Sequence, residues 1–455
     1  MHTNIVAVES PLRILLPVHH FLPHHAAGTE LYTAKLARQL CQRGYQVEIV
    51  TIDSTTRGSA GELIEEVAEY DEIPVHRLSF NLDAAPDRDR WLFDNPLLGA
   101  WFERYFQTTK PDLVHFQGGY LLGVAPILAA RASGVPSVLT LHDYWFLCPR
   151  HTLLRGDNTL CPEVPTDPAV CVWCNALMKR RYQVADRLSK GAAGESAARL
   201  DFFGKRQTLT SRRACIADAL SGIGAIISPS AFMASIMKDV VDLRQIDVVR
   251  FGFEPADRES VPAFTQRDEL RVGFIGQVNE HKGVHLLVEA FRRLRSTRPL
   301  RLDIYGNIPM PAYRQRLERL ANGDSRIHFH GRFENAQVAN ILASFTVCVA
   351  PSIWYENSPI AIQEAQNARV PVITAALGGM QELVQDGVNG LHFVARSTDS
   401  LAAQLQRLLD EPDLLSRLQE GARATQTRSL SDEMDAIEAL YQRVMSARCG
   451  GYSDV

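Results

Sequence analysis

The chain has 455 residues, 46% of them hydrophobic and 22% charged, with a formal net charge of −4. That length and apolar share suit two or three domains with sizeable cores, and two is the expected number. The nearly balanced charge excludes an electrostatic footprint for nucleic acid, so no nucleic-acid partner is expected. Residues 1–11 carry Glu9 and lack a basic start followed by an apolar core, so they do not read as a secretory leader. The most apolar stretch, Leu121 to Val135, is too short to span a bilayer and is interrupted by Pro126 and Arg131. The expected location is cytoplasmic, with contact at the inner membrane face left open.

In chain order, residues 12–16 read as the first strand. A loop from His19 to Gly28 precedes a helix predicted over residues 29–43, with the apolar stripe Leu31, Ala34, Ala37, Leu40 and Cys41 and Gly44 as its stop. Strands follow at 46–51, 112–116 and 137–141, separated by helical patterns. Strands alternating with helices predict a doubly wound parallel sheet. Where the 137–141 strand gives out, Thr140-Leu141-His142-Asp143 places His142 at a strand's carboxyl end. By itself a histidine there is more often a satisfied structural residue.

Cys148, Cys161, Cys171 and Cys174, half of the 8 cysteines, fall in one insertion spanning 145–213. Cys171-Val172-Trp173-Cys174 has the two-residue spacer with which one loop presents two thiolates to a tetrahedral metal, and Cys148 and Cys161 complete a set of ligands. A structural zinc is the expected use; plain or redox-active thiols and an iron–sulfur centre stay open. Residues 178–213 then interleave Lys179, Arg180, Arg181, Arg187, Lys190, Lys205, Arg206, Arg212 and Arg213 with Tyr182, Leu188, Phe202 and Phe203. Such a segment either covers the first domain as solvated helices or lies on an anionic membrane.

The strand–helix grammar restarts at 270–276 and continues through 301–305 and 326–329. This predicts a second doubly wound domain, with the boundary near 252–266 where Pro255 and Pro262 fall. Gly276-Gln277-Val278-Asn279-Glu280-His281-Lys282-Gly283 joins the first of these strands to a helix predicted over 284–294, and Gly306 and Gly331 end later strands. Residues 345–350 read as a buried strand leading into Glu356-Asn357-Ser358-Pro359-Ile360-Ala361-Ile362-Gln363-Glu364-Ala365. Here Ser358 is the expected N-cap and Pro359 the first helical residue. A helix starting at a strand's carboxyl end favours a diphosphate at its free N–H groups, while Glu364 turns toward vicinal hydroxyls and Glu356, ahead of the helix, reaches another part of the same ligand.

These motifs resemble the family-4 retaining glycosyltransferases, whose donor signature is Glu, seven residues, Glu-Ala, then a Pro-Val-Ile strand and a Gly-Gly turn. Glu356, Glu364 and Ala365, Pro371-Val372-Ile373 and Gly378-Gly379 match it, and the likeness runs from about Leu12 to the C-terminal helix. The resemblance implies the GT-B architecture: two Rossmann-like α/β domains facing a central cleft, with 1–254 on the acceptor side, 255–430 binding the donor and 431–455 crossing back to the first. It implies Lys282 on the leaving diphosphate, His142 on the transferred sugar, Gly28 close to the donor phosphate, and Gly276, Gln277, Gly306, Asn357, Ser358, Pro359, Ile360 and Glu364 around the donor. The partners it implies are a nucleotide-diphosphate-sugar and a glycan or lipid-linked acceptor, with no catalytic cofactor. Two departures stand out. Gln277 replaces the family's usual arginine, leaving either Arg250 or Arg332 to substitute or phosphate binding to lean more on N–H groups, and Ala27 replaces the first glycine of the usual N-terminal pair. A nucleotide-sugar epimerase, a sugar-phosphate synthase and a non-catalytic nucleotide-sugar scaffold are the alternative readings.

Overall fold

Strand β1 (Arg13–Val18) is buried at every position after the first. It is central to an eight-stranded sheet in a computed structural model that describes residues 11–254, 269–411 and 413–450. The other strands are β2 (Gln46–Ser54), β3 (Leu63–Tyr70), β4 (Ile73–Phe80), β5 (Leu113–Phe116), β6 (Ser137–Thr140), β7 (Ala225–Ser228) and β8 (Ile246–Val248), in the order β3-β4-β2-β1-β5-β6-β7-β8. All neighbours are parallel except β3 and β4. β5, β6 and β7 are buried at all of their positions, as strands covered on both faces must be, and they read as short apolar runs. The antiparallel β3–β4 pair was not expected. β3 is an edge strand whose exposed Glu65, Glu66 and Glu69 give it no strand-like alternation, and such charge also guards an edge against further pairing.

The second sheet has six strands, all parallel: β9 (Leu270–Ile275), β10 (Leu300–Tyr305), β11 (Ile327–Gly331), β12 (Val347–Ala350), β13 (Val372–Ala375) and β14 (Gly390–Phe393), in the order β11-β10-β9-β12-β13-β14. Two α/β units result. Among the described residues the first comprises 11–228, 234–248 and 434–450, and the second 229–233, 249–254, 269–411 and 413–433.

Hydrogen bonding gives the reason for these limits. Gly252 N donates to Glu433 Oε2 (2.8 Å), while Phe253 N and O bond to Arg428 O and Leu430 N (3.0 Å each), so 249–254 is tied to the second unit. Residues 255–268, where most of the expected linker falls, lie outside the described residues. Pro229–Met233 joins the same unit because Ser230 Oγ donates to Asn357 Oδ1 (2.6 Å) and Ala231 N to Glu382 Oε2 (2.9 Å). The last helix, Leu430–Gly450, buries Met434, Ile437 and Tyr441, and Tyr441 bonds to His115 Nδ1 of β5 at 2.7 Å. The first helix, Gly28–Gln42, buries Tyr32, Thr33, Ala34, Leu36, Ala37 and Leu40. Leu31 and Cys41, expected on its apolar stripe, are exposed, because the buried face is turned toward Tyr32 and Leu36.

Candidate functional site

In the second unit the strand order reverses between β9 and β12, which is where an open α/β sheet leaves a crevice at the carboxyl ends of its strands. β9 leads through a 3-10 turn, Glu280–Lys282, into the helix Val284–Arg292, and β12 leads through 351–359 into the helix Ile360–Asn367. The two loops are in contact. Ile353 N donates to His281 O at 2.9 Å. Gly283, at φ +69, lies so close to Pro351 that a Cβ would stand 1.9 Å from its carbonyl oxygen, so both the conformation and the space require glycine.

That contact brings Lys282 Nζ to 2.7 Å from Glu356 Oε1, an oxygen that also accepts from Ser352 Oγ (2.7 Å) and Trp354 Nε1 (2.8 Å). Glu356 is 6% exposed. Burial pushes its pKa up, but the Lys282 charge and these hydrogen bonds outweigh burial and hold it below the ordinary glutamate value. Glu356, expected ahead of the helix, is there as the buried counter-ion of Lys282. Ser352 and Trp354 lie between the strand and the run that begins at Glu356, and nothing in their spacing marked them as partners.

The helix beyond starts one residue later than expected. Pro359 is its cap and Ile360 its first residue, while buried Ser358 accepts from Gln363 Nε2 (3.0 Å) instead of capping an amide. Asn357 is buried; Pro359, Ile360 and Glu364 are part-exposed at and along the helix start. The leading amides of such a helix have no acceptor four residues back. Gly306, at φ +149, would bring a Cβ 1.8 Å from Gly276 O, so this pair allows the exits of β9 and β10 to approach closely whether or not a ligand is bound. Gln277 is exposed and accepts from Asn279 Nδ2 at 2.9 Å. Of the two arginines expected to replace it in charge, Arg250 is engaged 3.8 Å from Glu382 and Arg332 is exposed.

The first sheet reverses between β1 and β5, and the carboxyl ends of β1, β5 and β6 carry a second polar group. His142 Nε2 is 3.0 Å from Gln117 Oε1, and Gln117 Nε2 donates to His115 O at 3.3 Å. This orients the amide oxygen toward His142, so Nε2 donates and Nδ1 is the acceptor. Burial first, then His19, lowers the His142 pKa to about 3, so the ring is neutral at pH 7. His19 Nε2 lies 3.4 Å from Glu30 Oε1, and Glu30 Oε2 accepts from Ala27 N at 3.1 Å. The loop therefore has a defined shape with alanine at 27, and exposed Gly28 opens the helix. Tyr120 packs between His19 and His151, with ring centroids 5.5 and 4.9 Å away. Of this group the sequence singled out only His142 and Gly28. Glu30, three residues after Ala27, has capping-box spacing and was the available signal.

The description "Glycosyl transferase 4-like domain" matches residues 27–252, and "Glycosyl transferases group 1" matches 257–425. Both matches are to glycosyltransferase domains, which makes the chain a glycosyltransferase of the group 1/family 4 type. The D-inositol 3-phosphate glycosyltransferase of Streptomyces griseus is 25% identical over 447 residues, covering 92% of this chain and 86% of that protein. Sucrose-phosphate synthase from Thermosynechococcus elongatus superimposes with a TM-score of 0.63 at 20% identity, covering 96% of this chain and 100% of that one. HepE of Anabaena, solved in complex with UDP, gives 0.63 at 15% identity, covering 94% and 99%. The fold is that of the GT-B glycosyltransferases.

In this glycosyltransferase the four clustered cysteines converge. Cys148, Cys161, Cys171 and Cys174 are free thiols lining one cavity of about 30 Å³. Burial, then the other three thiols, pushes Cys161 up to about 11. Among the described residues, no three His, Cys, Asp or Glu side chains already stand in metal-holding geometry. Beyond the cysteines, the helix Arg180–Leu188 buries none of its residues, and Met178, Val184, Leu188, Leu200 and Phe202 are exposed alongside Lys179, Arg180, Arg181 and Arg187. No helix among the described residues is long and apolar enough to cross a membrane.

Proposed function

We propose that this glycosyltransferase moves a sugar from a nucleotide-diphosphate-sugar to a glycan or lipid-linked acceptor, with retention of configuration and without a catalytic metal. The reading is carried by the Lys282–Glu356 pair at the reversal point of the second sheet, next to the start of the helix Ile360–Asn367. As the bond from the sugar's anomeric carbon to the diphosphate breaks, negative charge grows on the leaving oxygens. Lys282 and the amides at that helix start stabilise this charge. Glu356 fixes the Lys282 ammonium in direction, so little reorganisation accompanies the charge build-up. Glu364 accepts from hydroxyls of the nucleoside. The acceptor oxygen bonds to the anomeric carbon on the face the diphosphate leaves, and its proton passes to the diphosphate. In this reading His142, neutral and donating through Nε2 to Gln117, contacts the transferred sugar.

HepE, solved with UDP and with UDP-glucose, supports a nucleotide-sugar donor. A thermal-shift and nucleotide-release screen against UDP-, GDP- and ADP-sugars tests the reading. One donor should stabilise the wild type and not Glu364→Ala; no response across the panel would remove the donor assignment. A phosphorylated polyol or sugar acceptor is the second reading, supported by the names of the inositol-phosphate and sucrose-phosphate relatives. Faster nucleotide release with phosphosugars than with glycans would select it, whereas nucleotide release with no acceptor at all would point to an epimerase. The exposed basic and apolar surface of residues 178–205 supports a lipid-linked acceptor, and co-sedimentation with anionic but not neutral vesicles checks that.

A further inference from the structure

Three separate pieces of chain contribute the four clustered cysteines: the turn after β6 (Cys148), the loop that follows (Cys161), and the helix Pro168–Ala176 (Cys171 and Cys174). Backbone contacts hold all three in place. His151 N donates to Cys148 O and Cys161 N to Leu153 O, each at 2.8 Å. Gly156 is seated so closely that a Cβ there would lie 2.2 Å from Cys174 O. Cys171 and Cys174, three apart, share one face of their helix. The cavity they line, about 30 Å³, suits one ion or one water and is too small for an organic ligand. No carboxylate or imidazole lines it, so sulfur is the available ligand.

The charges around the cavity have the matching sign. Arg150 and Arg155 line it, and Arg213 Nη2 is 3.6 Å from Cys171 Sγ. Arg212 is 5% exposed, bonded to Trp145 O and stacked 4.8 Å from the Trp145 ring, and it makes no ion pair with a carboxylate among the described residues. A buried guanidinium needs a counter-charge.

We propose that Cys148, Cys161, Cys171 and Cys174 bind one zinc ion as a closed tetrathiolate. Zinc displaces four thiol protons to solvent and forms four Zn–S bonds of about 2.3 Å with no change of oxidation state, leaving a centre of charge −2 that the surrounding arginines balance. Binding requires the four sulfurs to turn to a common point and Cys161 Sγ to give up its hydrogen bond to Glu163 O, now 3.2 Å. With four protein ligands the ion has no open position, so it is a staple rather than a catalyst. It holds the Cys148–His151 turn, whose His151 ring packs against Tyr120.

The test uses the full chain purified without chelator, with metal content read by mass spectrometry and cobalt(II) exchanged for zinc. The expected result is about one zinc per chain and a cobalt spectrum with sulfur-to-metal charge transfer and intense tetrahedral d–d bands. Cys171→Ser and Cys174→Ser should each weaken zinc retention at least about tenfold, a typical loss on disturbing a metal shell, with Cys41→Ser and Cys215→Ser as unaffected controls. A reduced wild-type protein that takes up no zinc when titrated, a cobalt spectrum without charge transfer, or recovery of these cysteines as disulfides would each overturn the proposal. Since none of these readouts depends on sugar transfer, failure here leaves the donor-site reading untouched.

Discussion

Lys282 and Glu356 are 74 positions apart in sequence and meet at 2.7 Å, so each determines the state of the other. With Lys282 present, the folded-state pKa of Glu356 is depressed; its contribution to stability is present above the ordinary glutamate range and fades as pH falls through the lowered value. Lys282→Met reverses the sign. Burial alone would then raise the carboxyl's pKa, so the variant should lose stability as pH rises through that range and be more destabilised at pH 7.5 than at pH 4.5. Breaking a buried pair costs about 3–5 kcal/mol, but Lys282 is about one quarter exposed, and roughly 1–3 kcal/mol is the expected loss at neutral pH. The double variant Lys282→Met/Glu356→Gln removes the stranded charge and should recover most of that stability. Transfer should stay down by about 100-fold or more, the scale of losing one charge-stabilising group. Recovery of rate together with stability would show that the pair is structural only. At this scale the sequence exposed the residue types, since Glu356, Lys282 and Glu364 all sit in recognisable motifs. That Glu356 faces Lys282 was not legible, because it depends on two loops brought together by the β9–β12 neighbourhood.

At the scale of elements, β5, β6 and the last helix are joined through one side chain. His115 is fully buried, with Nδ1 at 2.7 Å from Tyr441 OH and Nε2 at 2.7 Å from Thr140 Oγ1. Burial, then His142, lowers its pKa to about 3. The unfolded chain takes up a proton near pH 6.5 and the folded chain does not, so stability should fall as pH drops below 6.5, by about 1.4 kcal/mol per pH unit from this group. Chemical denaturation between pH 7 and 5 should show a steeper slope, since His142 is lowered likewise and adds its own proton, and His115→Gln should reduce it by one proton's worth; an unchanged slope would mean that His115 does not contribute. Strands β1, β2, β5, β6, β9 and β10 were legible as apolar runs between helical patterns, within one to three residues at their ends. β3 was not, because an exposed edge strand with glutamates on both faces carries no such run. The start of the helix Ile360–Asn367 was misplaced by one residue because Ser358 has a side-chain partner in Gln363, a contact that capping preferences do not contain.

On the scale of the whole molecule, the first unit is completed by the end of the chain. Met434, Ile437, Leu440, Tyr441 and Val444 are all less than a tenth exposed. At about 1.5–3 kcal/mol per buried side chain, their removal forfeits roughly 10 kcal/mol, comparable to the entire stability of a typical domain at about 5–15 kcal/mol. Truncation after Glu433 should therefore leave the first unit unfolded or insoluble; a soluble truncated chain with a native near-ultraviolet spectrum would contradict this. The sequence by itself determined the two parallel α/β units and the strand ends that carry chemistry, because burial on both faces and the alternation of strand with helix are written locally. Only the tertiary structure decided that Glu356 pairs with Lys282, that His142 donates a hydrogen bond to Gln117, and that the four cysteines share one cavity. Each of those depends on the lateral order of strands, and residues far apart in the chain become neighbours only when the sheets assemble.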